Sequence, residues 1–172
     1  MTISVSHGGG SNVLTQAVPS DEVLVGTVDG VARLVRGAAG WTVTDKTLAG
    51  HHIHALVQDP VSQVWFCGIE KGGIYASEDD GHSWEKRDIG MTEHDVYSLS
   101  VAEVDGATRV FAGTEPAHLF ISDDLGLTWF EKPALHQQET EIWKFPAPPH
   151  IAHLKHISFH PSDTNTIYAS IE

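Results

Sequence analysis

Histidine is the residue in this chain best suited to chemistry. There are 12 histidines among 172 residues, more than the 10 lysines and arginines together. Imidazole titrates near neutrality and is the commonest metal ligand among side chains, so the placement of these residues carries information. Three short apolar runs, aligned on Leu56, Leu99 and Ile157, begin at His52, Asp95 and His153, with His51 and His94 one position ahead of the first two. Two residues further on, on the same face by strand alternation, stand His54, Tyr97 and Lys155. A second run in each unit ends two residues past Gly68, Gly113 or Ser170, at Glu70, Glu115 and Glu172. Two or three neutral imidazoles with a carboxylate suit a divalent ion, zinc above all. We therefore expect His52, His54, His153 and His156 as metal ligands. Glu70, Glu115 and Glu172 are expected as catalytic groups, either carboxylate ligands or bases toward water. His94, Asp95, Tyr97, Lys155 and Trp143 are expected to contact a small-molecule substrate.

The elements that must bring these residues together are repeats. Ser77-Glu78-Asp79-Asp80-Gly81-His82-Ser83-Trp84 returns as Ser122-Asp123-Asp124-Leu125-Gly126-Leu127-Thr128-Trp129. Each copy follows a short apolar run, as a hairpin with a specialised turn would. The Asp accepts bonds from the turn's own N–H groups, Gly supplies positive φ, and Trp opens the return strand. Asp79, Gly81, Trp84, Asp124, Gly126 and Trp129 are thus scaffold residues. Around these turns the runs carrying Gly26, Gly68, Gly113 and Ser170 also align, at spacings of 42 and 45 residues and then 57, where an insertion of roughly a dozen residues intervenes. Four short strands per unit describe a β-propeller blade. The expected fold is an all-β propeller of about three and a half blades in one domain, with units near 11–47, 51–90, 94–133 and, incomplete, 151–172. The first unit is degenerate: it keeps Trp41 but replaces the Asp turn with Arg36-Gly37-Ala38-Ala39-Gly40, and has Val28 and Asp29 where later units have Glu. In a propeller the first strand of each blade is innermost, so the histidines and glutamates converge on one mouth of the central channel.

The two octapeptides resemble the Asp-box, or BNR, repeats of sialidase-like propellers, and the similarity runs over roughly 150 residues. The segment Trp143 to His156 also resembles a group of bacterial BNR-type proteins about twice this long. The resemblance implies a propeller scaffold with structural boxes at the blade periphery. It does not imply sialidase activity. That chemistry needs an arginine cluster and a Tyr/Glu nucleophile pair, whereas only Arg33, Arg36, Arg87 and Arg109 are present and the Phe/Tyr-Arg-Ile-Pro motif is missing. Three and a half blades do not close a ring, so a homodimer completing one toroid is expected, with Met1 to Ser6 as a strand available for the partner.

Two functions fit these residues. One is a metal-dependent hydrolase of phosphoesters or carboxylic esters, whose developing oxyanion a Lewis acid stabilises. The other is a non-enzymatic propeller that recognises a glycan, peptide or protein through the same mouth, its acid–His pairs merely joining blades. The charge of −13 argues against nucleic acid or anionic membrane as partner. No opening apolar segment and no apolar run near 18 residues is seen, so a cytoplasmic protein is expected. Cys67, the single cysteine, lies in an apolar strand and reads as core. Ser98 or Ser158 near His156 lacks a nucleophile elbow. His82, His118 and His160 read as turn residues. The Pro-rich insertion at 134–150 should arch over the histidine mouth as a lid, a substrate-selecting loop or a dimer contact.

Overall fold

The computed structural model describes residues 20–137 and 140–172. The strand expected at Met1 to Ser6 lies outside the described residues. The remainder is all-β, in four antiparallel sheets in which each strand pairs with its neighbour in sequence. The first sheet holds β1 (Glu22–Thr27), β2 (Gly30–Gly37) and β3 (Gly40–Thr47). The second holds β4 (Ile53–Gln58), β5 (Trp65–Ile69), β6 (Gly73–Ser77) and the short β7 (Glu85–Lys86). The third repeats it with β8 (Val96–Val104), β9 (Ala107–Thr114), β10 (Leu119–Ser122) and β11 (Phe130–Glu131). Two 3-10 turns, Pro133–Gln137 and Thr140–Ile142, open the insertion, and β12 (Leu154–His160) with β13 (Asp163–Ile171) form the fourth sheet. No helix among the described residues is long and apolar enough to cross a membrane.

The sheets stack face to face with β4, β8 and β12 side by side and β1 against β4. Apolar residues fill the spaces between consecutive sheets: Val31, Ile53, Cys67 and Ile69 in the first gap. Phe66, Ile74, Val96, Val110, Phe120 and Trp129 are among those filling the second, and Phe111, Leu119, Ile121, Leu154 and Ile157 the third. Burial raises the Cys67 thiol far above its ordinary value, which leaves it inert.

Two repeated devices fix how the sheets meet. The first is the Asp turn, whose two copies share one set of bonds. Ser77 Oγ donates to Asp79 Oδ1 at 2.8 Å, and the Ser83 N–H and hydroxyl donate to the same carboxylate at 2.8 and 2.6 Å. Ser122, Asp124 and Thr128 repeat the three distances. Gly81 and Gly126, at φ of +84° and +83°, follow Asp80 and Leu125, which are themselves left-handed. Each turn is then pinned to the sheet before it. The Trp84 indole donates to Thr47 Oγ1 and the Trp129 indole to the Arg87 carbonyl, both at 2.9 Å. In return Arg33 donates to the Asp80 carbonyl, and Arg87 to the Leu125 carbonyl at 3.0 Å. The boxes are thus staples between sheets.

The second device is the aligned glycine. A Cβ on Gly26 would lie 2.7 Å from the Ile53 side chain, one on Gly68 2.7 Å from Val96, and one on Gly113 2.7 Å from Leu154. Each glycine therefore admits the first strand of the next sheet at the same position. Ile53, Val96 and Leu154 are in turn nearly or fully buried. Only a residue without Cβ allows that approach.

Candidate metal and substrate site at the inner strand ends

The residues flanking Ile53, Val96 and Leu154 are the ones the repeats set in parallel: His52 and His54, Asp95 and Tyr97, His153 and Lys155. Pressing the central residue against the preceding sheet leaves its two neighbours to share the other direction. Each inner strand also carries a β-bulge at the same place. The pairing shifts between Ile53 and Ala55, between Val96 and Ser98, and between Leu154 and His156. The extra residues are His54, Tyr97 and Lys155. A bulge re-aims a side chain and is over-represented beside active sites. The strand ends are tied to the three glutamates through the backbone. Glu70 N–H donates to the His52 carbonyl at 3.0 Å, Glu115 N–H to Asp95 at 2.9 Å, and Glu172 N–H to His153 at 3.1 Å. Nine side chains from three sheets thus meet at one end of the stack.

Their rings form a row. Centroids are 4.6 Å apart from His52 to His54, 4.5 Å from His54 to Tyr97, and 4.0 Å from Tyr97 to His153. Phe145 of the insertion extends the row, 5.2 Å from His153. Carboxylates flank it. His52 Nδ1 contacts Glu70 Oε2 at 2.9 Å and His54 Nδ1 lies 3.8 Å from Asp95. His153 stands between Glu115 at 3.5 Å and Glu172 at 3.7 Å, and Lys155 pairs with Glu172. Beside the row a cavity of about 280 Å³ opens, lined by Lys71, His94, Asp95, Glu115 and Ile151.

The environment separates these groups electrostatically. Burial, helped by the neighbouring His52, pushes His54 down to about 4, so it is a neutral imidazole at pH 7. Burial also lowers His153, against the pull of Glu172. The His52 hydrogen bond holds Glu70 below the ordinary carboxylate value. In contrast, burial raises Asp95, and burial with the charge of Asp95 raises Glu115. Tyr97 itself is pushed up to about 12 by burial and then by Glu115. Glu70 is thus held ionised and His54 neutral, whereas Asp95 and Glu115 keep a proton to higher pH.

No protein-family model matches the chain, and no curated protein matches it. The chemistry has to be read from the side chains themselves.

Among the described residues, two groups of three place their ligand atoms within 4.8 Å of one another: His52, His54 and Glu70, and His118, Glu131 and His136. The first joins two of the expected histidines to a glutamate expected as catalytic. His153 belongs to neither group, because the Tyr97 ring stands between it and His54. His156 belongs to neither; it pairs with Ser170 on the far side of the Lys155 bulge. His94 faces the cavity and contacts Asp88 at 3.0 Å. Trp143 packs on the apolar residues between the third and fourth sheets, and Phe145 is the aromatic that reaches the row. In the degenerate unit Asp29 accepts from Lys46 and from the Gly50 N–H at 2.7 Å, a local lock. His118 closes the turn between β9 and β10 through its backbone, as the sequence suggests, and its ring also contacts Glu131 at 2.9 Å. Phe145, Glu131 and His136 were not singled out by the repeats, because all three belong to contacts of the insertion or the outer strands. Their signal would have been the aromatic and histidine content of 130–145.

Proposed function

We propose that His52, His54 and Glu70 hold a divalent ion, zinc by the character of the donors, and that the site hydrolyses a phosphoester or carboxylic ester. The observation that carries this reading is the convergence of two imidazoles at the start of β4 with a carboxylate at the end of β5, all three ligand atoms within 4.8 Å. His54 is neutral at pH 7, so no proton must leave it for a metal to bind. When bound, the ion would supply Lewis acidity toward a carbonyl or phosphoryl oxygen. Around it this chain's residues divide the remaining work. Glu115, raised above an ordinary carboxylate and hydrogen-bonded by Tyr97, holds or takes a proton at the cavity wall. Lys155 and Lys71 offer positive charge to an anionic substrate, and Phe145 limits water at His153. Purified without chelator, the protein should carry zinc and hydrolyse p-nitrophenyl phosphate or acetate. Glu70→Gln should lose one equivalent of metal, and Glu115→Gln should lower turnover at least ~10²-fold with metal retained. A Glu70→Gln variant that keeps its full metal content would overturn the metal reading.

The five-ring row flanked by carboxylates favours a second reading, a recognition surface on which a sugar or cationic ligand stacks. A metal-free protein that binds such ligands without turnover would establish it. We further propose that the four stacked sheets are consecutive blades of an Asp-box propeller. The stapled turns, the inner strands side by side and the recurring glycine support this. The first sheet exposes Val23, Val25, Trp41 and Val43, and the fourth exposes Tyr168. A second copy covering these faces would complete the ring. A monomeric mass by light scattering would exclude that partner.

A further inference from the structure

The second convergent group lies away from the mouth. His118 precedes β10, Glu131 ends β11, and His136 sits in the 3-10 turn that opens the insertion. In the third sheet β11 is the edge strand opposite β8, so this group is at the outer rim while the ring row is at the inner end. We infer that His118, Glu131 and His136 form a separate metal site, a clasp for zinc or a similar divalent ion that fixes the insertion to the outer strands.

The geometry goes beyond an ordinary His–carboxylate hydrogen bond. One oxygen of Glu131 lies 2.9 Å from His118 Nδ1 and 4.0 Å from His136 Nε2. The two imidazoles are 4.1 Å apart, centroid to centroid, and all three ligand atoms fall within 4.8 Å. Metal–ligand bonds of about 2.0–2.2 Å in a tetrahedron separate ligand atoms by roughly 3.3–3.6 Å, so small side-chain rotations complete the set and leave a fourth position to water. The three side chains are partly exposed, which gives an ion a path in. One ligand ends β11, one immediately precedes its partner β10, and the third comes from the segment to be held, the arrangement a clasp requires. Leu135, beside His136, and Trp143 further along the insertion pack on the core, and Phe145 lies against His153.

Zinc titration of the full-length chain by calorimetry, with cobalt as a spectroscopic substitute, tests the clasp. Glu131→Gln preserves shape, and His136→Gln alters an exposed position, so either variant reports on a folded protein. Each should lose one equivalent of metal, while the double variant His52→Ala with Glu70→Gln should retain the rim equivalent. Zinc should also slow proteolysis within 133–150 in wild type and in the mouth variant but not in His136→Gln. Unchanged stoichiometry and affinity in Glu131→Gln and His136→Gln would overturn the site, as would loss of all metal in the mouth variant. Metal bound at the rim without any protection of the insertion would overturn its role as a clasp.

Discussion

The same sheets end in two different ways. At the Asp turns the second and third sheets agree in side chain as well as backbone, with Asp79 and Asp124 accepting the same bonds at the same distances. At the other strand ends they share the backbone and the closing glutamate, Glu70 or Glu115, but not the residues around it. The bulge and the strand-closing hydrogen bond recur, but the re-aimed residues are His54, Tyr97 and Lys155. A turn repeated bond for bond does a structural job, because each unit needs the same staple. A repeated position with changing polar residues lets a scaffold deliver different groups to one place. The difference predicts that substitutions at the turns act on stability, and substitutions at the strand ends on chemistry.

The largest expected effect tests the turns. Trp129 is buried, and its indole bonds the Arg87 carbonyl at 2.9 Å. Trp129→Ala should lower stability by about 3–5 kcal/mol. Lys155→Ala, which removes a partly exposed ion pair, should change stability by no more than ~1 kcal/mol. Chemical denaturation of both variants measures the contrast. A Lys155→Ala loss as large as that of Trp129→Ala would break the division.

Stability against pH should separate the two ends next. His54 has its folded value pushed down to about 4, while the unfolded chain takes up the proton near 6.5. The folded state therefore binds fewer protons in that window, and stability falls as pH drops from 6.5 toward 4, by about 3 kcal/mol at most. His54→Gln should flatten this limb. The turns act at lower pH. The Ser83 hydroxyl and N–H hold Asp79 well below the ordinary range; at Asp124 burial opposes, but the bonds from Thr128 and Ser122 prevail. Their contribution is complete above about pH 4 and is lost as pH falls through the lowered values. Asp124→Asn should remove part of the acid limb and leave the His54 limb unchanged.

The repeats made much of this legible before any coordinates. Aligning Trp84 with Trp129 and Gly68 with Gly113 was enough to set His52, Asp95 and His153 in parallel, together with the three glutamates. That worked because period and strand alternation are local properties of the chain. What stayed hidden depends on contacts between sheets. Nothing in the sequence gives Arg33 and Arg87 a role, and only the stacking turns them onto the Asp80 and Leu125 carbonyls. The recurring glycine was visible as a landmark, but its reason, the approach of Ile53, Val96 and Leu154, was not. The bulges could not be read, so four histidines stood as equal ligands until Tyr97 was found between His54 and His153. The insertion carries no repeat at all, and therefore Trp143 was singled out rather than Phe145, and the contacts of the His118 ring with Glu131 and His136 stayed hidden.

Gly68→Ala bridges the two ends. Its Cβ would meet a Val96 methyl at 2.7 Å and the Val96 carbonyl at 3.2 Å, so β8 must move. A cost of about 1–3 kcal/mol is expected. Because Val96 lies between Asp95 and Tyr97, the ring row should loosen with it, and turnover should fall although no mouth residue has changed. Equal losses of stability from Trp129→Ala without loss of activity in the surviving folded protein would sharpen the comparison further.

The smallest change asks whether Tyr97 is only a spacer between histidines. Tyr97→Phe keeps the stack on His153 and His54 but removes the hydroxyl that bonds Glu115. Losing one partly buried hydrogen bond should cost about 1 kcal/mol or less. The chemical consequence has a definite sign. The Tyr97 bond lowers Glu115 against the raising effects of burial and Asp95, so removing it lets Glu115 rise further. If Glu115 works as a base, the acid limb of the kcat/KM profile should move to higher pH in Tyr97→Phe. If it works as an acid, the alkaline limb should move up instead. A profile that does not move on either side would make Tyr97 a packing residue like those of the turns, and the strand ends would lose one of the nine positions that set them apart.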